Sequence, residues 1–515
     1  ENTKRGGDNF IAQREVSIPI DQLMAGNSAN QIASMSTSAN ALYENEMAAY
    51  IGRFSYDYKG KYLAEFGFRE DGSSRFAAGK QWGFFPFASA GWRISEEGFW
   101  KNSSILSKVN NFKVRASYGE LGDESGLSYQ FLTGYNYPAG GSPGGLPAGS
   151  VFDGIFINGV SGRGLANPLL SWYTAKTIDF GVDFEAWNGL FGFTIDYFER
   201  DRKGLNANRG ATLPDVVGAG LPLENLNGDR TKGVDFDISH RHKIGNFNYN
   251  FKAIFGVART MNTYREQARQ GNSWLNWWNN NGTANVNNRW NNLYWGYGAD
   301  GRFQSYSDIE NSEIFVPRNT VVGDYRYEDW NGDGNITSQD AYPIATSGFP
   351  TLTYGLNFGA SYKNIDFSMN WAGAGQVYAS YIEQLREPLW AGGNALVQFL
   401  DRWHPVEPNA DPYDPNTQWV SGHYAYTGTL PFVNTMHNAS NAAFIRLKSV
   451  ELGYTLPSKY LAKAGVKGLR VYANGYNLLT FTNLKYLDPE RPPSRDYGYW
   501  YPVDRKFTFG LNLQL

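Results

Sequence analysis

The feature that most constrains this chain is an alternation of large apolar and polar side chains that recurs along its length. Phe247, Tyr249, Phe251, Ala253 and Phe255 alternate with Asn246, Asn248, Asn250 and Lys252. Leu352, Tyr354, Leu356 and Phe358 alternate with Thr353, Gly355, Asn357 and Gly359, and Ile365, Phe367, Met369 and Trp371 with Asn364, Asp366, Ser368 and Asn370. The last residues repeat the pattern, with Phe507, Phe509, Leu511, Leu513 and Leu515 set against Thr508, Gly510, Asn512 and Gln514. Successive side chains of an extended strand point to opposite faces, so a period of two gathers the rings on one face and the polar groups on the other. The chain therefore reads as all-β.

One alternating strand could belong to a soluble sandwich; the connections are more telling. Strands are expected near 10–20, 48–58, 61–70, 82–92, 111–119, 173–185, 190–200, 232–241, 247–258, 352–362, 365–376, 442–455, 468–478 and 505–515. Short turns such as Lys59-Gly60, Ala186 to Gly189 and Lys363-Asn364 alternate with long loops at about 120–172, 201–231, 259–351 and 377–441. Short turns on one side and long loops on the other are the organisation of an outer-membrane barrel. The composition agrees. There are 34 Tyr, 33 Phe and 16 Trp, yet mean hydropathy is -0.48, as suits strands with one lipid-facing side and aromatic girdles. No run reaches the ~18 apolar residues of a spanning helix. The expected fold is a transmembrane antiparallel β-barrel whose last strand ends on the periplasmic side, with the long loops, all within residues 1–515, extracellular.

Other classes lose support. With no cysteine, disulfide scaffolds, thiolate zinc sites and thiol catalysis are excluded. A net charge of -3 offers no basic excess for nucleic acid. The Gly-rich run Ala139 to Ser150 lacks the Lys-Ser/Thr of a phosphate loop. His240 and His242 share a strand face, but a third metal ligand is missing. Nothing resembles an activated nucleophile or a catalytic carboxylate pair, so the chain does not read as an enzyme. Glu1 to Gly7 show no signal-peptide pattern.

Two segments carry candidate chemistry. Asp329, Asn331, Asp333, Asn335, Thr337 and Asp340 fall at positions 1, 3, 5, 7, 9 and 12 of a loop with Gly334 at the sharp turn, the spacing of a calcium loop. Asp340 replaces the usual bidentate Glu; a plain Asn/Gly/Asp turn is the simpler reading. The stretch Gly271 to Tyr297 holds Trp274, Trp277, Trp278, Trp290, Tyr294 and Trp295 among many Asn, with Arg289 as its one charge. Flat rings cover sugar C–H faces while amides bond hydroxyls, so these six are candidate substrate-binding residues. Girdle, packing and partner-contact roles compete.

Several ordered motifs resemble the SusC-like TonB-dependent receptors of the Bacteroidetes. They include Tyr50-Ile51-Gly52-Arg53, Arg69-Glu70-Asp71-Gly72-Ser73-Ser74-Arg75-Phe76, Trp82-Gly83-Phe84-Phe85-Pro86 and Ser89-Ala90-Gly91-Trp92-Arg93. Phe444-Ile445-Arg446-Leu447-Lys448, Leu452-Gly453-Tyr454-Thr455-Leu456-Pro457 and Leu487-Asp488-Pro489-Glu490 extend the likeness towards the C-terminus. The resemblance implies a 22-stranded barrel with an N-terminal plug, a SusD-like lipoprotein lid, and energy from the TonB complex. About fourteen strands are legible and no plug, so the chain is expected to be the C-terminal part of such a receptor. The implied function is import of oligosaccharides across the outer membrane, in contact with its lipid. Peptide cargo on the same architecture is one alternative, and a secreted carbohydrate-binding β protein is another.

Overall fold

The computed structural model describes residues 2–5, 43–124, 129–136, 149–162, 164–210, 220–267, 287–291, 293–346, 348–381, 383–427, 434–461, 465–490 and 501–514. Within these residues one sheet dominates, and fourteen of its strands form a single path in chain order. They are β1 (Asn2–Arg5), β2 (Tyr43–Tyr58), β3 (Tyr62–Ser73), β4 (Trp82–Arg93), β5 (Val109–Asp123), β6 (Tyr173–Ala186) and β7 (Phe191–Asn208). The path continues through β8 (Leu223–Ile244), β9 (Phe247–Tyr264), β10 (Leu352–Tyr362), β11 (Ile365–Gly375), β12 (Phe444–Thr455), β13 (Gly468–Tyr476) and β14 (Lys506–Gln514). Each pairs antiparallel with its neighbour in sequence, an up-and-down meander. The strand expected near 10–20 lies outside the described residues; β1 holds the edge instead, pairing with Tyr43 to Glu46.

The faces follow the alternation. Tyr50 is 64% exposed, Phe66 60%, Phe180 56% and Phe509 81%, all on one face of the sheet, the outward one. So broad an apolar surface is far beyond what water tolerates on a soluble domain and fits contact with lipid. On β9 the outward positions run from Phe247 to Val257. These ten residue steps, at about 3.3 Å each and tilted about 40°, span about 25 Å, the height of an outer-membrane apolar band. Lys59 (φ 55°) and Gly60 (φ 65°) form the β2–β3 turn, the doubly left-handed conformation that matches strand twist in a two-residue hairpin.

The inward face is polar and paired. The Arg115 guanidinium lies 2.6 Å from Asp196, 3.3 Å from Asp183 and 3.5 Å from Asp179, and Arg470 pairs with Asp366 and Glu451. Rings enter where glycine makes room. Phe85 is buried, and a Cβ on Gly122 would fall 1.9 Å from its ring.

Strand lengths differ from expectation on one side. The connection expected over 201–231 is largely strand, because β7 runs on to Asn208 and β8 begins at Leu223. The long connections expected from 120 and 259 likewise begin later, after Asp123 and Tyr264. Past the apolar band the outward side chains become Glu199, Asp201, Arg230 and Lys232, which pair across strands. The hydrophobic alternation stops there while the backbone ladder continues.

Candidate functional site

On the long-loop side, the connections 265–351 and 376–443 fold against each other. The Tyr297 N–H donates to the Asn434 carbonyl at 2.9 Å, and the Met436 N–H donates back to the Tyr297 carbonyl at 3.1 Å. Arg302 donates to the Gly323 carbonyl at 3.1 Å and to the His423 carbonyl. Between them Tyr325, Tyr327 and Ala425 form a small buried core with Tyr297 and Ile336 packed on it. The His437 ring lies 4.4 Å from that of Tyr325, and the Arg302 guanidinium sits 4.2 Å from the same Tyr325 ring. Burial first, and then the nearby Arg302 charge, disfavour the imidazolium, so the His437 pKa falls to about 4. Burial likewise pushes the neighbouring Asp324 carboxyl up. Gly323 adopts φ 88°, and a Cβ there would meet the Trp403 side chain at 2.4 Å. Two connections thus make one platform, a feature that periodicity could not signal because its contacts are distant in sequence.

The aspartate-rich turn hangs from this platform. Ile336 packs on the core, Asp340 is fully buried, and Trp330 stacks on Tyr342 at 4.4 Å. The Asp329 carboxylate accepts from the backbone N–H of Gly334 at 2.7 Å, Gly332 at 2.8 Å and Asp333 at 3.2 Å. Those bonds, the Gly334 one foremost, hold it below the usual carboxylate range. Asp340 accepts from the N–H of Thr337 at 2.7 Å and of Asn331 at 3.2 Å. The curl brings the side chains and carbonyls of an oxygen-rich segment to one turn. Among the described residues, however, no three acidic or imidazole groups gather as a metal site. Ligation would need the Asn331 amide oxygen, the Asn335 carbonyl and the Thr337 hydroxyl beside Asp329, Asp333 and Asp340. Next to the turn, a cleft of about 500 Å³ is lined by Tyr306, Ile309, Val316, Arg318 and Tyr413 among others. Its wall is tied to the turn by the Phe315 N–H, which donates to the Gly334 carbonyl at 2.6 Å.

The aromatic candidates are dispersed. Trp274, Trp277 and Trp278 lie outside the described residues. Trp290 pairs with Met261 on the edge of β9 and lies on the outward face, 4.5 Å from the Arg259 guanidinium. Tyr294 and Trp295 sit in Leu293–Gly296, which pairs with Tyr342–Thr346. The Tyr294 hydroxyl donates to Asn434 at 3.1 Å and accepts from Ser380, so it braces the platform. Arg289, the single charge of that stretch, lies 5.7 Å from the Trp295 ring. The structure thus separates Trp290 from Tyr294, while the cleft residues Tyr306, Arg318 and Tyr413 escaped the sequence reading because no local pattern joins them.

Comparison with known proteins places this architecture. Residues 14–379 match the family model described as TonB dependent receptor-like, beta-barrel. The chain is similar to TonB-dependent receptor P3 of Formosa agariphila, with 27% identity over 497 residues, 92% of this chain and 46% of that protein. It is 27% identical over 495 residues to TonB-dependent receptor SusC of Bacteroides thetaiotaomicron, covering 91% of this chain and 44% of that one. Among solved structures, the RagAB peptide importer in its closed-closed state has the same fold, with a TM-score of 0.70 at 20% identity over 96% of this chain and 50% of that chain. The chain spans about half the length of the curated relatives it matches.

Proposed function

Because this chain belongs to the TonB-dependent receptor-like β-barrel family, whose members cross the outer membrane with strands and are transporters rather than enzymes, we propose that it contributes wall and extracellular loops to an importer of oligosaccharides. Energy comes from the TonB complex, and a SusD-like lipoprotein closes over the loops. The stretch Gly271 to Tyr297 carries the cargo reading. It combines Trp and Asn with one charge, and its described end is built into the platform through Tyr294. Few charges suit a neutral, hydroxyl-rich ligand, because desolvating unpaired charges costs more than burying amides that bond hydroxyls. The polar inward wall suits a hydrophilic solute. A peptide cargo is the second reading, favoured by the shared fold with a chain named a peptide importer. Replacing Trp277 and Trp278 with Ala in the intact receptor separates the outcomes. Loss of neutral-oligosaccharide uptake with normal lid co-purification supports the glycan reading. Loss of lid co-purification first assigns the stretch to the lid contact. Unchanged uptake of both cargo classes removes it from the binding site.

The turn from Asp329 to Asp340 takes up calcium under the same proposal. The ion would join the cleft wall at Phe315 to the platform core at Ile336, fixing the loop surface that cargo and lid meet. Its ligand spacing and its Gly334 bond to Asp329 support the assignment.

A further inference from the structure

Above the apolar band, the outward face of the tall strands carries a row of charges rather than neutral groups. Lys176 stands directly opposite Glu120 and Asp201, Glu199 opposite Lys232, and Lys232 opposite Arg259. Tyr118 and Tyr197, one outward position lower, donate to Glu120 and Glu199. That places the row just above the aromatic level, where lipid headgroups begin. Along most of the row each carboxylate meets a cation. Lys176 lies 2.7 Å from Glu120, Arg230 2.5 Å from Asp201, and Lys232 3.0 Å from Glu199.

The row ends differently. Arg259 faces another cation, Lys232, and among the described residues no carboxylate pairs with it. Its Nε is buried without a hydrogen-bond partner. Its guanidinium rests 4.5 Å from the Trp290 ring, which lies on the same outward face. Like charges directly opposite in a sheet destabilise it, and a buried donor left unmade adds a further cost. One bridging anion would offset both. Lys232, Arg259 and Trp290 share the outward face, so the site lies on the lipid side of the sheet and not towards the barrel interior. A guanidinium fork binds phosphate through two parallel N–H···O bonds, and an indole ring is at home at the headgroup level.

We infer that Lys232, Arg259 and Trp290 form a binding site for the phosphorylated headgroup of an outer-leaflet glycolipid of the lipid A class. The site is on the outer face of the sheet and its test reads lipid retention rather than uptake, so it stands or falls apart from the import reading. It is tested on the intact receptor, purified in mild detergent, stripped of lipid and titrated with purified lipid A in native mass spectrometry. The expected result is one retained lipid A per receptor, with affinity lowered at least about tenfold in a K232Q/R259Q double variant, which removes several charge-assisted hydrogen bonds. R259K keeps the charge but lacks the fork and should fall between the two. It carries the comparison alone if the double variant does not assemble as a heat-modifiable barrel. Lipid A lacking its phosphates should bind like the double variant. Equal retention of lipid A by wild type and both variants overturns the proposal, and so does equal retention of the dephosphorylated lipid. If inorganic phosphate alone protects the site as well as lipid A does, the ligand is a free anion and the lipid assignment fails.

Discussion

The wall of this barrel is built to two heights, and the loops above it divide accordingly. On the tall side, β7, β8 and β9 are 18, 22 and 18 residues long, well beyond what the apolar band requires. On the short side, β10 and β11 are 11 residues each, and the outward positions of β10 span only the band itself. Where the strands rise, cross-strand ion pairs continue the sheet and the connection between β7 and β8 is confined to residues 209–222. Where they stop at the membrane surface, the two long connections must satisfy their own backbone groups, and they do so by sharing a core around Tyr325 and Tyr327. The contrast teaches that one backbone ladder serves two purposes. Inside the lipid, closure is obligatory because nothing else can satisfy the peptide groups. Outside it, height is optional and side chains decide whether wall or platform takes over.

That contrast can be broken most forcefully beneath the platform. Arg446 of β12 is almost fully buried and donates to Asp488 at 2.6 Å, Glu490 at 2.7 Å and the Thr480 hydroxyl at 2.9 Å. Arg446→Met should cost about 3–5 kcal/mol, since it leaves the largely buried Asp488 carboxylate without its cation. Thermal unfolding of the intact receptor in detergent measures this, and a loss below about 1 kcal/mol would mean that the cluster is not a keystone of the short side.

Calcium comes next. At a hundredfold excess over its dissociation constant the ion should stabilise the platform by about 2.7 kcal/mol, and Asp333→Ala should abolish the effect while leaving the tall wall unaltered. Isothermal calorimetry and protease resistance of the long loops report it, and a mutant that responds to calcium as the wild type does reduces the segment to a turn.

An effect of similar size should follow pH. The His437 pKa is depressed from 6.5 to about 4, so the unfolded loop binds the proton more readily than the folded one. The stabilisation is complete above the unfolded value and is lost as pH falls from about 6.5 towards about 4. Loop proteolysis should therefore quicken across that window in the wild type and much less in His437→Gln, while barrel mobility on gels stays constant. Equal acid sensitivity in both would place the cause elsewhere.

Least is expected on the tall side's outer face. Lys176→Gln removes an exposed pair with Glu120 and should lower the unfolding temperature only slightly at low salt, and not measurably at high salt. A larger, salt-independent loss would show that this face is packed against something.

Much of the wall was legible because the physics of a strand in lipid is local. Each outward position from Phe247 to Phe255 announces itself two residues after the last, and short turns such as Lys59-Gly60 mark one end. The tops of β7 and β8 were not legible, because residues such as Asp201 and Arg230, placed in the loop expected over 201–231, look like loop residues until the register pairs them. Trp290 illustrates the same limit at the candidate site. Its identity suggested a sugar platform, and only its pairing with Met261 places it on the outer face. The His437 and Tyr325 contact spans more than a hundred residues and leaves no pattern in the sequence. The ligand spacing of the aspartate turn was readable, since its twelve positions are consecutive, but its attachment through Ile336 was not.

The central claim is import, and one measurement tests it most directly. Cells producing the intact receptor with its lid partner would be given a labelled neutral oligosaccharide and a labelled peptide, each with TonB present and absent. Uptake of the oligosaccharide that exceeds uptake of the peptide, disappears without TonB and falls when Trp277 and Trp278 are replaced is the predicted result. Uptake that is indifferent to TonB, or that serves the peptide and excludes the oligosaccharide, would contradict it.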